Sequence, residues 1–263
     1  MKAKTAPETN MHSAPWRNLY LVGAVAAFVA ALVFRRNLGA AEIPMFFGLT
    51  APTDMQGWFT LLQSNPLLGL SFLNVFDIID YALVGVMLVA LYIALRQTSR
   101  GIMTIAVSMG FVGIILYFVS NNALPLLALS NQYAAASEAQ KASLVATGDA
   151  LLANGYNPGA LYPSAAIYVS LLLIAVAGLL VSAVMWQSKK FGKVTAAIGA
   201  IACLLDLTYC AGLFLIPTAG VYVLSVACLA SAGFFLMLWH LLIGFKLYKL
   251  SKKPTATEVT TIE

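Results

Sequence analysis

The chain has 263 residues, 61% of them hydrophobic and only 10% charged, with a mean hydropathy of +0.87. About a quarter of a soluble domain is charged, so this composition excludes a water-soluble globule: there is too little polar surface to cover it. The net charge of +5 and pI of 9.1 would suit a nucleic-acid binder, but the basic residues stand in short tracts beside apolar runs. Anionic headgroups and membrane topology account for that placement, and no nucleic-acid partner is expected.

In chain order, residues 1–17 form a polar N-terminal segment in which His12 carries no signal. The first apolar span, Asn18–Phe34, ends in Arg35-Arg36 rather than a small-residue cleavage site, which makes it a retained helix instead of a signal peptide. Gly23, Ala27 and Ala31 recur every four residues, with Ala26 and Ala30 beside them. Such ridges let helices approach closely in lipid, within one bundle or between copies of the chain. Next comes a segment over 35–73 in which Thr53-x-x-Gln56 has the capping-box pattern, followed by Met55, Trp58, Phe59 and Leu62 at helical spacing. Asn65-Pro66 reads as a second helix start.

The second span is Asn74–Leu95, "NVFDIIDYALVGVMLVALYIAL", and the third is Ile102–Ser120. In the segment over 121–163, Ser137-x-x-Gln140 opens a helix with the apolar face Leu144, Val145, Gly148, Leu151 and Leu152, and Asn154-Gly155 ends it. The fourth span, Ser164–Trp186, follows Tyr162-Pro163; the fifth is Val194–Ile216; Pro217 and Gly220 separate it from the sixth, Val221–Phe245. Residues 251–263 are polar and contain Pro254, a composition that predicts a disordered tail. No internal repeat is visible. The fold class is therefore all-α: a polytopic bundle of six transmembrane helices over residues 18–250, with short amphipathic helices on the outer side. Those helices are read as resting on the membrane surface or capping the bundle, in preference to a lid over a cavity.

Basic residues set the orientation. Lys2, Lys4, Arg17, Arg96, Arg100, Lys189, Lys190, Lys193, Lys246, Lys249, Lys252 and Lys253 fall on one side, and Arg35, Arg36 and Lys141 on the other. The positive-inside rule then places both termini in the cytoplasm, with Trp16, Trp186 and Trp239 as an aromatic belt near that boundary.

Three carboxylates interrupt the spans. Counting from Arg96 at 1.5 Å per residue, Asp80 lies about 24 Å and Asp77 about 28 Å along the helix, near the outer interface. There the positive helix end favours anions. Asp206 lies about 18 Å from its own inner boundary, near mid-membrane, where an ionised Asp costs several kcal/mol unless paired or protonated. The depths allow Asp77, Asp80 and Asp206 to share one outward-facing pocket. A structural role for them is preferred over a cation or proton site. His240, about 8 Å from the inner boundary, reads as an interfacial residue snorkelling toward headgroups. Cys203, Cys210 and Cys228 read as small packing residues. No Cys–His cluster has metal-ligand spacing, so no metal is expected. No GxSxG or HExxH stretch is present and no residue is assigned as catalytic. No cofactor is expected.

"MLVALYIALR" (residues 87–96), a span, and then "SNNALPLLALSNQYAAASEAQKASLVATGDALLA" (residues 120–153) resemble a family of uncharacterised multi-pass membrane proteins of bacteria and archaea, catalogued as a domain of unknown function. The resemblance runs over roughly residues 65–250. It implies about six helices and a prokaryotic cytoplasmic membrane, and it supplies no activity.

Two functions follow as expectations. The preferred one is a non-enzymatic accessory, scaffold or lipid-interacting bundle whose partners are membrane lipids and either further copies of itself or a larger membrane complex. The alternative is a small cation- or proton-coupled transporter or sensor with an outward-facing acidic pocket. The topology predicts that a tag fused after Glu263 stays inaccessible to a membrane-impermeant label in intact cells and becomes labelled once they are opened; labelling of intact cells would reverse the sidedness.

Overall fold

In lipid, a spanning segment must satisfy its backbone polar groups internally, which makes helix the natural form for apolar runs of this length. The computed structural model describes residues 14–37, 49–155, 164–215 and 219–252, and no strand occurs among them. Six long helices carry the spans: α1 (Ala14–Asn37), α4 (Val75–Leu95), α5 (Arg100–Ser120), α8 (Ala165–Gln187), α9 (Lys193–Leu215) and α10 (Ala219–Ser251). All six contain stretches long and apolar enough to cross a membrane. Four shorter helices, α2 (Met55–Ser64), α3 (Pro66–Phe72), α6 (Ala123–Ala135) and α7 (Glu138–Asn154), occupy the two segments between spans. The expected N-terminal segment lies almost wholly outside the described residues, as does the tail from 253 onward.

Each long helix packs on the next in chain order, from α1 on α4 through α9 on α10, and α10 returns to α1. The six therefore close a ring. The ridge on α1 makes the closure possible: Ala24, Ala27, Ala30 and Ala31 are buried. A Cβ on Gly23 would overlap Ala90 of α4 while standing 3.3 Å from Leu247 of α10. On the same seam Phe28 lies over Gly244 and meets Phe245 edge to face, with ring centroids 5.0 Å apart. The small-residue ridge is thus used inside the ring. The flanks of the ring are apolar and open to the surroundings, with Val22 and Val25 on α1 and Ile115 and Val119 on α5 all exposed. This is how a lipid-facing surface is built.

The two ends of the ring differ. At the basic end, Met87, Leu91, Leu95, Met103, Val184, Met185, Ile243 and Leu247 belong to one continuous buried core. Polar seals lie around it. Lys190 donates from Nζ to the Ala94 carbonyl (2.9 Å), near the end of α4, where a cation suits both the free carbonyls and the helix dipole. Arg17 Nε donates to the Ser251 carbonyl (3.2 Å), and the Arg96 guanidinium lies 5.1 Å above the Trp16 ring.

The opposite end carries a cap. Helices α2, α3, α6 and α7 bury Met55, Trp58, Phe59, Leu62, Phe72, Leu126, Leu129 and Leu152 in a second core of their own. Their apolar faces rest on one another, so these are cap helices and not isolated helices on a membrane surface. The N-terminus of α2 sits one residue later than the Thr53 pattern suggests: Asp54 is the cap, its Oδ1 accepting from Gly57 N–H at 2.7 Å. A carboxylate capping the positive helix end has a charge advantage that the Thr53 hydroxyl lacks. Asn65 caps α3, and the Ser137/Gln140 box opens α7 as expected, with Gln140 Oε1 accepting from Ser137 N–H at 3.1 Å. Helix α6 was not foreseen. Hydropathy runs it together with α5 over Arg100–Ala135, and the buried Asn121-Asn122 pair divides them.

The seam makes a stability prediction. Gly23→Leu forces the α1, α4 and α10 backbones apart and costs about 1–3 kcal/mol, as overpacking does. It lowers the thermal midpoint of the purified protein, while Val22→Leu on the exposed flank leaves the midpoint unchanged.

Candidate functional site

A turn at the start of α4 sets the site. Asn74 takes a left-handed conformation (φ 55°, ψ 40°), which asparagine tolerates better than most residues. Asn121 clamps that turn from the end of α5, its Nδ2 donating to the Leu73 and Asn74 carbonyls at 3.3 and 3.2 Å. Helix α4 therefore starts in a defined rotation, and that rotation aims Asp80, Val84, Met87 and Leu88 into the ring as a single stripe.

The stripe meets others. Helix α5 presents Gly110 and Ile114, α8 presents Ile174 and Gly178, α9 presents Cys203, Asp206 and Cys210, and α10 presents Leu229, Leu236 and His240. Tyr81, Tyr209 and Trp239 complete an internal chamber of about 70 Å³. Glycines keep the walls close: a Cβ on Gly110 would stand 2.7 Å from Leu88, and one on Gly178 would stand 2.5 Å from the Cys203 sulfur. The buried Ser170 hydroxyl donates to the Gly113 carbonyl at 2.8 Å and ties α8 to α5. Among the described residues no lysine or arginine lines the chamber.

The structure divides the three sequence-predicted acids. Asp80 and Asp206 face the chamber together. Asp77, one turn above Asp80, is half-buried and accepts the Tyr117 hydroxyl at 2.7 Å; it does not line the chamber. Tyr81 lines the chamber beside Asp80, and its ring lies 4.4 Å from that of Tyr117. Asp80 is 3% exposed, and its Oδ1 has no hydrogen-bond partner among the described residues.

Two expectations are corrected. His240 does not snorkel and Trp239 does not belong to an interfacial belt: they are 3% and 4% exposed and both line the chamber. The reason is length. Helix α10 continues to Ser251, beyond the expected end at Phe245, which puts His240 roughly 16 Å from the helix end instead of about 8 Å. Cys203 and Cys210 are buried free thiols that contribute to the chamber wall in addition to packing.

Chemically the chamber offers two carboxylates, an imidazole, two phenols and an indole in an otherwise apolar wall. Among the described residues no three His, Cys, Asp or Glu side chains converge in a way that could hold a metal ion. An ionised carboxylate at bilayer depth costs about 2.5–3.5 kcal/mol on the insertion scale. Among the described residues no lysine or arginine offsets that cost, and the His240 imidazole is the one nitrogen base in the wall.

Residues 18–244 match the family model described as a domain of unknown function, DUF4386. The chain belongs to that family. The matched stretch takes in the long helices of the ring, the cap and every chamber residue named above. No curated protein and no solved structure matches the chain. Together with its six membrane-capable helices, membership identifies an integral membrane protein of unknown activity.

The Asp77–Tyr117 contact can be isolated. Tyr117→Phe lowers stability by about 1.5–3 kcal/mol, the range for a hydrogen bond to a charged group. A double-mutant cycle with Asp77→Asn, read by denaturant or thermal unfolding, returns a coupling energy well above the additive limit for independent sites; additive losses would remove the contact from the account.

Proposed function

We propose that this membrane protein is a small cation- or proton-coupled transporter or sensor whose ligand is held in the chamber between Asp80 and Asp206. The observation that carries the reading is Asp80: a carboxylate buried at bilayer depth, one oxygen without a partner among the described residues, facing a space that also holds Asp206 and is lined by no described lysine or arginine. A group in that position costs stability unless something charged reaches it, and a ligand that does so is bound where its charge counts most. The chemistry involved is binding and release, so the reading is non-enzymatic and asks for no cofactor.

The accessory or scaffold reading draws on the small residues, the short connections at the basic end and the lack of catalytic motifs; of these, the α1 ridge is used inside the ring. With the basic end on the cytoplasmic side, as the lysines and arginines favour, the cap faces outward and the chamber lies beneath it. A prokaryotic cytoplasmic membrane fits that arrangement.

Purified protein in nanodiscs, titrated with cations at constant ionic strength, tests the reading, with proton flux followed in parallel in liposomes carrying an internal pH dye. A bound cation raises the unfolding free energy by about 2.7 kcal/mol at a hundred times its dissociation constant. The wild-type protein shows either a saturable thermal shift or a proton flux, and Asp80→Asn and Asp206→Asn, still folded by circular dichroism, show neither. Variants that respond as the wild type does would overturn the proposal.

A further inference from the structure

We infer that the chamber selects a small nitrogen monocation, ammonium or methylammonium, over alkali metal ions, divalent ions and bulky organic cations. This rests on the binding function proposed above and narrows its ligand. Size is the first ground. The chamber measures about 70 Å³. A water needs about 10–15 Å³ of such space and an engineered cavity of about 150 Å³ admits benzene, so this one takes a small polyatomic ion with little company.

Donor chemistry is the second. A hard metal ion demands about six oxygen ligands at short, regular distances. Among the described residues the chamber's side-chain oxygens come from Asp80, Asp206, Tyr81 and Tyr209, with the His240 imidazole as one further donor atom, short of a full metal shell. Ammonium brings its own N–H donors. It can satisfy the unpartnered Asp80 Oδ1 directly and reach the Asp206 carboxylate without a full coordination shell.

The wall is the third ground. Tyr81, Tyr209 and Trp239 offer aromatic faces, which attract ammonium-type cations, most strongly where water is excluded. Apart from His240 and the thiols of Cys203 and Cys210, the rest of the described wall is aliphatic or glycine and offers little to a cation that keeps its full hydration shell.

The experiment measures thermal shift and isothermal titration on the full chain in nanodiscs, at fixed pH and ionic strength, with ammonium, methylammonium, sodium, potassium, calcium and tetraethylammonium chlorides. Ammonium and methylammonium bind saturably, at least about tenfold more tightly than the other ions. Asp80→Asn weakens them by about tenfold or more, the loss expected for a charge-assisted hydrogen bond. Asp77→Asn, outside the chamber lining, keeps the wild-type preference. Asp206→Asn provides the comparison if the Asp80 variant does not fold, since Asp206 is only half-buried.

A response that needs Asp80 or Asp206 but favours sodium, potassium or calcium overturns this inference and leaves the binding function standing. Equal or better binding of tetraethylammonium does the same, as does an Asp80-dependent proton flux with no cation binding. Loss of every carboxylate-dependent response, to cations and protons alike, brings down both.

Discussion

Closure of the ring between the first and last helices is the constraint on which the rest of the molecule depends. Lipid supplies no hydrophobic drive for helices to associate, so the seam must be held by close backbone approach and packing. Helix α1 provides it with Gly23 against Ala90 and with Phe28 over Gly244. With the seam shut, the polar stripes of α4, α9 and α10 face an interior. With it open, Asp80 and Asp206 would face hydrocarbon, at a cost comparable to the stability that a few good packing contacts provide.

Filling is uneven along the ring axis, and this gives the interior its polarity. At the basic end long aliphatic side chains and methionines from neighbouring helices interlock, and lysine and arginine close the helix ends. Toward the capped end glycine, alanine and cysteine replace them on α5, α8 and α9, leaving the chamber. The cap adds rigidity above it through Asn121, whose side chain holds the left-handed turn at Asn74 and thereby the rotation of α4. A hydrogen bond between a loop asparagine and two carbonyls thus decides which way a buried aspartate points.

Much of this could be read in the residues, and the rest follows a pattern. Span number and approximate depth came from run length and basic tracts because the bilayer imposes both. The α7 start was legible because Ser137 and Gln140 satisfy the backbone locally. Which face of each span looks inward was far less legible: these helices are apolar on nearly every side, so amphipathicity does not mark the interior. The pairing of Asp77 with Tyr117 depends on helix rotation and could not be foreseen. The positions of His240 and Trp239 depend on where the helix ends, and Lys246 does not mark that end: a lysine stem can lie along apolar surface while its helix runs on. A signal for them existed in the spacing of Leu229, Leu236 and His240 along one stripe. Helix α6 carries Pro125 in its first turn behind the Asn121-Asn122 pair, and Ala123, Leu126 and Ser130 recur along it at helical spacing.

Side-by-side packing of α1 and α10 also has a consequence for biogenesis. The helix that completes the enclosure leaves the ribosome after the other five, which wait in the bilayer as an open crescent until it arrives. Throughout that interval the acids on α4 and α9 lack their final neighbours. The newborn protein must keep them protonated, draw in water, or rely on the insertion machinery to shelter them until α10 is in place.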